Sequence, residues 1–161
     1  MFGAGCYFAE DAEKVDQYAR PDAGPSGPGH AELAELHARL YREGRTHPGE
    51  DVFYAFVARV VCGACLHTDG LDRNRPPRDA ASGQEIFVEK YRRPVNSDMK
   101  QLVEIPGTTP PERYQTLVVN VAKGPVPGVS SRSVLRNREF VSFNRVAIYP
   151  EYVLAFLRKL T

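Results

Sequence analysis

Apolar positions along this chain follow a helical period near the N-terminus and a strand-like one further on. Ala12, Val15 and Ala19 fall at i, i+3 and i+7, which predicts a short helix over residues 10–20 that Pro21 ends. Acidic residues crowd its first turn, where the helix dipole favours them. Glu10 stands four residues before Lys14, the favourable order for an ion pair. Residues 21–30, rich in proline and glycine, predict a flexible linker. A second helix is expected over about 31–43, a packing element with Leu33, Leu36 and Leu40 on one face and Gly44 past its end.

Strand signals dominate from there. Residues 52–61 are nearly continuous apolar sequence, aromatic and β-branched, which predicts a strand covered on both faces. Residues 66–84, polar and carrying Pro76-Pro77, predict a surface loop, and the stretch at 86–91 holds one short strand. Residues 114–121 and 139–143 predict strands, with a Gly/Pro/Ser loop at 123–133 between them. Residues 152–160 are a further strand candidate whose length also admits a helix. The sum is an α+β fold, strand-heavy toward the C-terminus. It reads as a single domain over 1–161, with a linker and helix inserted at about 21–50.

Composition narrows the classes of function. At 161 residues the chain is long enough for a real core, and its 42% hydrophobic and 25% charged residues suit a soluble globular protein. No apolar run approaches a membrane span and no leader is read, so no membrane partner is expected. A net charge of +1 supplies no overall field for nucleic acid; a nucleic-acid role would need a local patch, and only short ones occur, such as residues 73–78. Three cysteines cannot all pair with each other, so a reducing, intracellular setting is expected, nuclear or cytoplasmic.

Few positions carry chemistry. Glu139 is a lone carboxylate in a strand that otherwise reads as core, sharing a face with Val141 and Phe143. A carboxylate there loses hydration unless a partner meets it, and such positions are enriched in functional sites. The plainer alternative is a solvated strand end with Glu139 paired to Arg136 or Arg138. Cys62 and Cys65 with His67 look like half a zinc site, but no fourth ligand stands at suitable spacing, so no metal is assigned. His30, His37 and His47 lie in a linker, on a helix and in a loop. His37 reads as a surface or boundary residue, and no catalytic histidine grouping emerges.

The segment Gly3-Ala4-Gly5-Cys6-Tyr7-Phe8-Ala9 resembles the catalytic half of the poly(ADP-ribose) polymerase family. That family shows a turn of the form Gly-x-Gly-x-Tyr-Phe-Ala, an acidic residue, and a short helix ending in tyrosine. Gly3, Gly5, Tyr7, Phe8, Ala9, Glu10, Lys14 and Tyr18 fit it. The run Arg138-Glu139-Phe140-Val141-Ser142-Phe143, then Ile148-Tyr149-Pro150-Glu151-Tyr152, looks like the family's glutamate strand, bend and second strand.

The resemblance implies an ADP-ribosyltransferase-like fold, mostly antiparallel strands with short helices. It implies an enzyme that transfers ADP-ribose from NAD to a protein acceptor and releases nicotinamide. Glu139 and Tyr7 take the catalytic positions, and Gly5, Tyr7, Phe8, Ala9, Lys14 and Tyr18 those that hold NAD. Tyr18 would stack on the nicotinamide, and Lys14 would help keep Glu139 ionised. Two departures stand out. The family's serine three residues before the stacking tyrosine is Val15 here, and its upstream histidine-glycine strand is missing, so the chain reads as the family domain's C-terminal part. These departures define a second expectation, a non-catalytic pocket serving binding or scaffolding. A third is a small zinc-bound interaction domain around Cys62, Cys65 and His67.

Overall fold

The computed structural model describes residues 2–24, 30–49, 52–69, 76–89, 101–120 and 137–158. It is α+β, with mostly antiparallel strands and few, short helices. The chain divides into two compact units, one of residues 1–14 and 59–149, the other of residues 15–58 and 150–161.

The first unit is built on a four-stranded sheet. Its strands are β1 (Cys6–Ala9), β3 (Cys65–Thr68), β4 (Thr116–Val119) and β5 (Glu139–Ser142), in the order β1-β5-β4-β3. β5 runs antiparallel to both β1 and β4, while β3 runs parallel to β4. Period-2 alternation sends Leu66, Leu117, Val119 and Val141 into one core with Phe2, Ile86, Phe87 and Leu102. Phe143 packs against that core, its ring edge-on to Phe87.

The loop expected over 66–84 begins later than its composition suggests. Leu66 and Thr68 are buried in β3, which pairs with β4 and sends Leu66 into the core with Ile86, Phe87 and Leu102. The strand expected near 86–91 is, in its described part, a buried segment: Ile86 and Phe87 fill the core, and a single bridge joins Phe87 to Leu102. The loop expected at 123–133 lies outside the described residues.

The helix expected over 10–20 is α1 (Ala12–Asp16), barely a turn and a half. Asp11 starts it, its side chain accepting from Glu13 N–H and its carbonyl from Lys14 N–H. Turn-type bonds follow, from Tyr18 N–H to the Val15 carbonyl and from Ala19 N–H to that of Asp16, which tighten the chain before Pro21.

The second unit holds α2 (His30–Leu40). Two strands, β2 (Val52–Val60) and β6 (Ile148–Leu157), pair as a two-stranded sheet and contribute residues 52–58 and 150–157 to this unit. β6 settles the 152–160 ambiguity in favour of strand. β2 is not covered on both faces: Val52 and Phe53 are buried, whereas Phe56 is 72% exposed. A run of apolar residues reports strand propensity, and here burial is complete only at its first two residues. Phe53 stacks on Phe156, with the Arg158 guanidinium 3.9 Å from its ring centroid.

Candidate functional site

Four residues across the sheet of the first unit form each row. The core-facing rows are Leu66–Leu117–Val141–Tyr7 and Thr68–Val119–Glu139–Ala9. Glu139 therefore ends the buried face, between a fully buried valine and the alanine of the aromatic motif, and is 9% exposed. Lys14 answers its charge, with Nζ 2.7 Å from Oε1. The alternative of a solvated strand end paired to an arginine does not hold for Arg138, which lies 3.6 Å from Glu10; Arg136 is outside the described residues. Both charges expected to pair along α1 thus have partners on or beside β5.

The other predicted residues fall as follows. Gly5, Tyr7, Phe8 and Ala9 lie on or beside β1, and Tyr7 shares Glu139's face one row away. The Tyr7 hydroxyl accepts from Phe2 N–H at 2.7 Å and donates to the Gly3 carbonyl at 2.9 Å, closing the turn that feeds β1. Gly5 is required sterically, since a Cβ there would lie 2.5 Å from Val141 Cγ1. Phe8 points to the opposite face, in a row with Phe140, Val118 and His67. Tyr18 belongs to the second unit, past the end of α1, and is 75% exposed. The structure thus brings Lys14, Ala9, Tyr7 and Glu139 together and leaves Phe8 on the other side of the sheet.

Cys62 and Cys65 flank the turn into β3. The Cys65 thiol lies within reach of the Cys62 and Gly63 carbonyls, and burial, reinforced by Cys62, pushes its pKa up. Among the described residues these thiols form no metal-ligating group with His67.

A group that does have metal-ligand character was not foreseen. In the second unit, Asp22, His37 and His47 place one ligand atom each within 4.8 Å of one another. His37 is buried at 7% exposure, contrary to the expectation of a boundary residue. It lies at i+4 from Leu33 and i−3 from Leu40, so its place on the apolar face of α2 was the available signal. Asp22, in the linker, and His47, in a loop, gave none.

Asp22 Oδ2 accepts from His37 Nε2 at 2.6 Å, His47 Nε2 at 3.1 Å and the Tyr54 hydroxyl at 2.7 Å, and Oδ1 accepts from Gly24 N–H. Because Tyr54 gives its proton to Asp22, Tyr41 donates to Tyr54 across 2.9 Å. Burial alone would raise the Asp22 pKa, but these donors outweigh it and hold the carboxyl well below its usual range. Burial, with Tyr41 and Asp22 beside it, pushes the Tyr54 phenol well above its own.

No family model, curated protein or solved structure matches this chain. Among the described residues no helix is long and apolar enough to cross a membrane.

Proposed function

We propose that this chain is the catalytic part of an NAD-dependent protein ADP-ribosyltransferase resembling the poly(ADP-ribose) polymerases. The observation that carries this reading is Glu139, held on the buried face of β5 beside the Tyr7–Ala9 strand with an ammonium group 2.7 Å away. A carboxylate so fixed suits the reaction. Cleaving the bond between nicotinamide and ribose builds positive charge on the sugar, as in glycoside hydrolysis, and a preoriented anion stabilises that charge. Glu139 would accept a hydrogen bond from the ribose 2′-hydroxyl and orient the acceptor nucleophile. Lys14 keeps the carboxylate in one orientation. The ADP-ribosyltransferase-like fold belongs to the same proposal.

The test is transfer of label from radiolabelled NAD to protein, comparing the chain with Glu139→Gln. Removal of an acid–base group of this kind costs about 10²–10⁴-fold in rate, so the variant is expected to lose transfer by at least about a hundredfold. Equal transfer by both proteins removes Glu139 from the mechanism. A second reading has its own support in Val15, which offers no side-chain hydrogen bond where the family's serine binds the nicotinamide amide. Under that reading the chain is a non-catalytic NAD or ADP-ribose pocket. NAD binding by calorimetry with no label transferred would select it.

A further inference from the structure

The second unit contains a polar cluster where a core would be expected. Its described residues include only two buried apolar side chains, Val52 and Phe53, whereas Asp22 and His37 are buried as well. The leucines of α2 are half-buried. A structural metal is one device that ties segments together around so small a core. The cysteines are free, and none lies in this unit.

Asp22, His37 and His47 come from three separate segments: the stretch after α1, the apolar face of α2, and the loop after it. Their side chains are 3%, 8% and 5% exposed. Gly24, at φ +79°, passes so close to the His47 ring that a Cβ would lie 2.9 Å from Nδ1. That approach, closed to other residues, seats the imidazole against the backbone. Both Nε2 atoms face the same carboxylate oxygen, at 2.6 and 3.1 Å. A tetrahedral zinc with bonds of about 2.0–2.1 Å separates its ligand atoms by about 3.3 Å; Asp22 Oδ2 lies closer than that to both nitrogens, so the carboxylate oxygen draws back to admit the ion. We propose that Asp22, His37 and His47 bind one divalent transition-metal ion of the zinc class, tying the three segments together.

The donor set is two imidazoles and a carboxylate, borderline ligands that suit zinc and leave a fourth position for water. Tyr54 donates to the same Asp22 oxygen, as outer-shell partners of metal ligands do. Proton accounting gives the proposal a distinctive consequence. Gly49 N–H donates to His47 Nδ1 at 3.1 Å, which puts the ring proton on Nε2. Binding metal through Nε2 moves that proton to Nδ1 and ends the Gly49 contact.

The test is calorimetric titration of the metal-stripped chain with zinc chloride, in a Cys6→Ser/Cys62→Ser/Cys65→Ser background that removes thiol binding. One zinc per chain is expected, with a raised thermal midpoint. His47→Gln should abolish binding, and Tyr54→Phe should weaken it by about 10–100-fold. On the same protein, zinc should speed hydrogen exchange at the Gly49 amide, and cobalt(II) should give the intense visible bands of a four-coordinate site. Absence of zinc uptake, or uptake unchanged in His47→Gln, overturns the proposal and leaves the cluster as a hydrogen-bonded network alone. Should His47→Gln fail to fold, the parent protein decides: a Gly49 amide indifferent to zinc counts against the site, and an accelerated one supports it.

Discussion

A methyl group on Gly5 would land 2.5 Å from Val141 Cγ1 and 3.0 Å from the Ser142 carbonyl oxygen. β5 is held from its other side by β4 and has little room to retreat. Overpacking of this kind costs about 1–3 kcal/mol, so Gly5→Ala is expected to lower the unfolding free energy in urea by about that amount. A variant as stable as the parent would mean that β1 moves away freely. Lys14 matters for a different reason. Replacing it with methionine leaves the Glu139 carboxylate nearly buried without its ammonium partner. The expected loss is on the order of 1–3 kcal/mol. The double variant Lys14→Met/Glu139→Leu should recover part of it, because no charge is then left behind. If it recovers nothing, the pair contributes little. In the sequence, the tyrosine motif marks Gly5 and period-2 alternation marks Glu139. Neither signal tells that β5 is what crowds Gly5 or that Lys14 is what meets Glu139.

At the scale of elements, the segment after β3 shows how an edge is closed. β3 is an outer strand, and the His67 backbone would face outward with its N–H and carbonyl unmet. Asp79 Oδ1 accepts the His67 N–H, and Ala80 N–H donates to the His67 carbonyl. The same carboxylate accepts from Ser82 N–H and Oγ, closing the turn. Burial alone would raise the Asp79 pKa, but these donors win and lower it below the ordinary 3.8. A carboxyl with a depressed folded-state pKa adds stability above its unfolded value, and that stability is lost as pH falls through the folded one. Asp79→Asn should therefore be less stable than the parent at pH 7, with the gap closing below pH 3.8. Chemical denaturation at several pH values checks this, and a gap independent of pH would rule out the linkage. The residues between 66 and 84 read as loop because β3 is a strand of four residues followed by polar sequence, and its pairing partners lie some fifty residues further on. By contrast, β4 and β5 carry enough β-branched and aromatic residues to be located from pattern alone.

For the whole molecule, 21 basic and 20 acidic residues leave almost no net field. At about 0.15 M salt the screening length is about 8 Å, so no retention on a heparin column is expected under those conditions; firm retention would reveal a basic patch and reopen a nucleic-acid role. The sequence by itself determined the α+β class, the positions of α2 and most strands, and the presence of one acid in a core-like strand. These depend on periods of two and 3.6 residues and on local side-chain preference, all contained within a few neighbours. Tertiary structure alone decided the rest. It chose Lys14 as the partner of Glu139 and left Phe56, Val57 and Arg59 of β2 exposed. It also brought His37, His47 and Tyr54 onto one oxygen of Asp22. Partner choice depends on how distant segments are registered and packed against each other, and no local period carries that information.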